Sequence, residues 1–104
     1  MAWLMLLLAG LFEVGFATAL KLSDGFSRTG PSLAFVVLSA ASFFCLTRAM
    51  ASVPIGTAYA LWTGIGALGT AVVGMIWFGD PVGGARLFFL GLLLTALVGL
   101  KLVS

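Results

Sequence analysis

Residues 2–20 read AWLMLLLAGLFEVGFATAL, an apolar run interrupted by a single ionisable residue, Glu13. About 20 largely apolar residues at 1.5 Å rise are enough to cross the hydrocarbon of a bilayer, so this stretch predicts a membrane-spanning helix of about residues 2–21. It is too long and too acidic for a cleaved signal peptide, and no small-residue cleavage site leads into a polar mature part. It is expected to be retained.

Outward from this run the same composition continues. A second helix is predicted to open near Pro31, a residue tolerated in a first helical turn, and to run to about Arg48. Pro54 closes a short loop, and a Gly- and Ala-rich helix follows over about 55–78. The cluster Gly79-Asp80-Pro81-Val82-Gly83-Gly84 breaks it, and a fourth helix takes about 86–103. The 104 residues are 62% apolar and 8% charged, against about 25% charged in an ordinary soluble domain. The expected fold is therefore an all-α membrane protein of four transmembrane helices, one domain over 1–104, with short loops that make neighbouring helices antiparallel in a compact hairpin of hairpins. The lipid bilayer is its solvent.

The same inventory excludes several functions. With no histidine and one cysteine, Cys45, neither a metal site nor a disulfide framework can be assembled. No catalytic constellation and no cofactor are expected. Five cations and three anions, scattered along the chain, do not make a nucleic-acid surface.

Glu13 carries the strongest functional signal. An ionisable group near the middle of a spanning helix costs several kcal/mol, roughly 2.5–3.5 on insertion scales, and marks a functional site by default. A structural glutamate would need a cation at similar depth, yet Lys21, Arg28, Arg48, Arg86 and Lys101 all fall at predicted helix ends. Glu13 is accordingly read as a proton carrier whose carboxylate also attracts cations.

Tyr59 and Trp62, three residues apart, share one face of helix three, and Thr63, Gly66 and Thr70 extend it. Trp62 offers a cation-π surface and an indole donor, and Tyr59 a hydroxyl for the carboxylate when no substrate is bound. Trp3 and Trp77, near helix ends, are the better interfacial belt residues. Ser42 is expected to bond back to its own preceding turn, as hydroxyls in spanning helices do. Gly64 and Gly66 are a close-packing device or a hinge. Gly91, Thr95 and Gly99 repeat at four-residue spacing, a small-residue ridge that predicts helix association through helix four.

Four helices enclose little space, so a gated path calls for a second copy of the chain, and an antiparallel pair would supply the two inverted halves. Cation counting agrees. Lys21, Arg28 and Arg86 fall on one side and Arg48 and Lys101 on the other, a bias weak enough for insertion in both orientations.

These residues also carry a family resemblance over essentially the whole chain. Leu11-Phe12-Glu13-Val14, the segment Lys21 to Pro31 with Gly25-Phe26-Ser27-Arg28, and Pro54-Ile55-Gly56-Thr57-Ala58-Tyr59-Ala60-Leu61-Trp62-Thr63-Gly64-Ile65-Gly66-Ala67 resemble the small multidrug resistance transporters. The last segment, with Gly99-Leu100-Lys101, is similar to the guanidinium exporter branch. The resemblance implies an antiparallel, dual-topology homodimer in the bacterial inner membrane, exchanging protons for a small guanidinium-like cation at Glu13. It places Trp62, Tyr59, Ser42 and Phe16 around that cation. Phe16 stands where this branch typically has tryptophan, and Ala96 where it has glycine. Phe16 keeps open a broader exporter of quaternary ammonium or lipophilic cations. A non-transporting membrane subunit would leave Glu13 unexplained, and a proton channel would have no use for Tyr59 and Trp62.

Overall fold

The computed structural model describes residues 2–103, which form four helices: α1 (Ala2–Leu22), α2 (Thr29–Met50), α3 (Ile55–Trp77) and α4 (Gly84–Leu102). All four are long and apolar enough to cross a membrane. Helix α2 opens two residues earlier than expected. Pro31 still falls in its first turn, where a missing N–H removes no helical bond, and Ser32 Oγ donates to the Arg28 carbonyl at 2.6 Å. Helix α3 stops at Trp77 because Gly79 takes a left-handed φ of 69°, which lets the backbone N–H groups of Phe78 and Asp80 both reach the Gly74 carbonyl at 3.0 Å.

The loop between α1 and α2 is tied by Ser23, which is fully buried. Its hydroxyl donates to the Leu20 carbonyl at 2.7 Å and accepts the Phe26 N–H at 3.2 Å. Its carbonyl accepts the N–H groups of Ser27 and Arg28 at 2.9 and 3.1 Å. This knot holds Asp24, Gly25 and Phe26 successively at positive φ, a conformation that costs about 1–2 kcal/mol for a residue with a Cβ.

The packing departs from a compact hairpin of hairpins. Helix α1 is central, against both α2 and α3, while α4 leans on α3 and buries no residue of its own. The result is a slab of 42 × 35 × 17 Å. The core of Leu6, Ala9, Cys45, Leu46, Ala49, Val53, Ala58, Leu61 and Trp62 lies wholly on the 51–54 loop side of Glu13. Towards the other end, the α1–α3 seam opens into a groove of about 130 Å³ whose lining includes Thr18, Lys21, Thr70 and Asp80.

Close approach of α1 and α3 depends on glycines on both helices. A Cβ at Gly10 would overlap Ile65, one at Gly69 would overlap Val14, and one at Gly66 would overlap the carboxyl group of Glu13. Without an apolar driving force between helices in lipid, such van der Waals fit is a main source of association. The Gly10→Val variant is therefore expected to lose about 1–3 kcal/mol through overpacking against Ile65. Thermal unfolding in detergent checks this, and an unchanged midpoint would show that α1 and α3 do not approach so closely.

Candidate functional site

Glu13 sits about 15 Å from either end of α1 at 1.5 Å per residue. Its carboxyl group faces Gly66, where a side chain on α3 would fill the space it occupies. Oε1 is buried without a hydrogen-bond partner among the described residues. The cations are engaged at the ends of the bundle. Lys21 lies 5.7 Å from the Phe78 ring, Arg48 5.8 Å from Phe44 and Lys101 5.0 Å from Trp3, while Arg86 pairs with Asp80 at 3.8 Å. Arg28 is exposed at the start of α2. Glu13 is thus in no ion pair among the described residues, and its carboxyl group is free to take a cation from outside the chain.

Beside it, Ser42 behaves differently from expectation. Thr18, Thr47 and Thr95 each bond back to the residue four before, at 2.8 Å. The fully buried Ser42 instead donates across to the Ala9 carbonyl on α1, one turn from Glu13, at 2.7 Å. It also accepts the indole N–H of Trp62 at 2.9 Å. One hydroxyl therefore joins α1, α2 and α3, and Trp62 reaches it because the core holds the indole buried at the α2–α3 contact.

The rings around this relay form a chain through three helices. Phe16 lies 6.2 Å from Phe43, Phe43 lies 5.7 Å from Trp62, and Trp62 lies 5.6 Å from Tyr59, all tilted. Phe16 also meets Phe35 edge-on at 5.7 Å. Phe43 is a member that sequence reading missed; it adjoins Ser42, but nothing in its spacing distinguishes it from a lipid-facing ring. Tyr59 is 56% exposed, and within one chain its hydroxyl makes no bond to Glu13 among the described residues. Thr63, one turn further along α3, is likewise exposed.

Helix α3 runs unbroken through Gly64 and Gly66, which serve close contact: Gly64 lies against Leu97 of α4, and Gly66 against Glu13. On α4, Gly91 and Gly99 have nothing within 4 Å of a built Cβ, and Thr95 is exposed. That ridge faces away from the chain. No group of His, Cys, Asp or Glu that could hold a metal ion occurs among the described residues, and Cys45 is free and buried.

The family model for the Small Multidrug Resistance protein matches residues 1–93. This chain belongs to the small multidrug resistance family. Its curated relatives include a guanidinium exporter of Yersinia pseudotuberculosis, 54% identical over the full length of both chains. A guanidinium exporter of Salmonella typhimurium is 47% identical over 98% of this chain and 97% of its own, and one of Citrobacter freundii is 46% identical over the same span. Family membership and four spanning helices together make this a multi-pass membrane protein.

Removing the shared hydroxyl tests the relay. Ser42→Ala strands a buried indole N–H and deletes the bridge to Ala9, so it is expected to cost about 1–3 kcal/mol. Thermal unfolding should fall accordingly and tryptophan emission should shift; an unaltered protein would mean that the relay does not hold the three helices.

Proposed function

We propose that the chain is a proton-coupled antiporter that exports guanidinium and related small cations across the bacterial inner membrane, working as an antiparallel, dual-topology homodimer with no enzymatic role. The carrying observation is Glu13: a mid-membrane carboxyl group with a buried, unpartnered oxygen and no ion pair among the described residues, on a three-helix unit that also carries a chain of aromatic rings. Relatives at 46–54% identity, named as guanidinium exporters, support the choice of substrate.

The chemistry matches. Guanidinium is planar, its paired N–H groups fit the two oxygens of a carboxylate, and its face stacks on an aromatic ring. Glu13 would take the forked donors, with Trp62, Phe16 and the Tyr59 ring alongside and Ser42 fixing the indole. A carboxylate that holds a cation has no proton, and one that holds a proton has lost the charge that attracts the cation. Competition for one group is therefore the coupling, and it needs no second site. Phe16 favours a second reading, export of quaternary ammonium or lipophilic cations, because a phenyl ring in place of an indole removes a hydrogen-bond donor and leaves the chain of rings less polar.

The second copy is motivated by α4, which buries nothing within the chain and turns its Gly91, Thr95 and Gly99 ridge outward. Small residues let helices approach in lipid, so this ridge is the proposed contact.

Glu13→Gln should abolish guanidinium-driven proton flux in proteoliposomes while leaving assembly intact, since the amide keeps the volume without the charge. Retained coupled flux would remove the carboxylate from the mechanism. In the wild type, falling pH adds the competing proton, so guanidinium affinity should weaken, approaching about tenfold per pH unit once the protonated form predominates. Binding that does not vary between about pH 5 and 9 would refute the competition.

Orientation has its own test. A single cysteine introduced at the C-terminus in a Cys45→Ala background should label from both sides of the membrane, and two added lysines on either side should drive one orientation and reduce transport. One-sided labelling of the unbiased chain would exclude the dual-topology homodimer.

A further inference from the structure

A second hydroxyl lies at the depth of Glu13. Ser39 Oγ is buried with no hydrogen-bond partner among the described residues, although Ser32, Thr18, Thr47 and Thr95 all bond back to the turn before them. Buried hydroxyls are ordinarily satisfied, so one left open asks for a ligand.

Its position follows from four contacts. Ser42 meets the Ala9 carbonyl on α1 and the Trp62 indole on α3. Since α2 runs antiparallel to both, one turn back from Ser42 to Ser39 corresponds to about one turn forward on each neighbour, from Ala9 to Glu13 and from Trp62 to Gly66. Glu13 and Gly66 are themselves in contact. A built Cβ at Gly15 lies 3.1 Å from Leu38, which fixes the same register from the other side. The two unpaired oxygens, Glu13 Oε1 and Ser39 Oγ, therefore share one level of the three-helix unit.

We propose that Ser39 is a substrate-binding residue whose hydroxyl accepts an N–H of the cation that Glu13 does not engage, and so selects guanidinium-type ions over cations without N–H groups. Ser42 cannot fill this role as freely, because its proton is committed to Ala9 and it already accepts from Trp62. A carboxylate takes two of the donors of guanidinium, and the rest need acceptors once the ion leaves water. Ser39 supplies one where the rings supply none. This inference rests on the exporter reading above.

The test is equilibrium binding to the purified full-length chain in detergent, followed by tryptophan fluorescence, with guanidinium and tetramethylammonium as probes. Ser39→Ala should weaken guanidinium binding roughly two- to tenfold, Ser39→Thr should retain it, and neither should alter tetramethylammonium binding. Unchanged guanidinium affinity in Ser39→Ala overturns the proposal. So does an equal loss for both cations, or an equal loss in Ser39→Thr, since either marks a packing role. Failure of the parent reading looks different: a wild-type chain that does not bind guanidinium, or a Glu13→Gln variant that binds it undiminished, overturns the exporter and the role of Ser39 together.

Discussion

A carboxyl group about 15 Å from both ends of a lipid-spanning helix has no water to solvate it, and the placement of the other elements answers to that constraint. Gly66 gives it room on α3, and Gly10 and Gly69 bring α3 near enough to provide that room. The hydroxyl of Ser42 then pins α2 to the same pair of helices. The glycines that look like weak points in α3 are the places where α1 can lie against it. Every cation, meanwhile, stays at a helix end, several of them on an aromatic ring. Near the middle of α1 stands one carboxyl group, with no ion-pair partner among the described residues.

Polar satisfaction inside this unit is uneven. The Trp62 indole and the Ser42 hydroxyl spend their hydrogens on the protein, one on a side chain and one on a backbone carbonyl. Each bond ties a separate helix pair, so together they hold the α1–α2–α3 unit in register. Glu13 and Ser39, on the same unit, are left with open oxygens. The framework bonds and the unpaired oxygens thus come from neighbouring residues of the same helices.

The four spans, Glu13 and the Tyr59–Trp62 pair were legible in the sequence because length, hydropathy and a lone charge in an apolar run are local signals. The partner of Ser42 was not. The rule for hydroxyls in spanning helices describes Thr18, Thr47 and Thr95 correctly, and only the register of α2 against α1 makes Ser42 an exception. Phe43 was invisible for a similar reason: in a helix rich in large apolar residues, no periodicity separates a ring that bridges Phe16 and Trp62 from one that meets lipid. The flanking position of α4 was also hidden, since a helix apolar on all sides does not announce which side it packs.

The location of the core has a consequence along the membrane normal. The buried core lies between Glu13 and the 51–54 loop, and towards the other end the α1–α3 seam opens into a groove of mixed lining. One chain is therefore packed differently towards its two ends. A copy inserted upside down would exchange the two, so that each leaflet of the proposed pair would contain one end of each kind. Opposite polarity in the two copies would then give a pair built from identical chains an inward-leaning and an outward-leaning half without any difference in sequence.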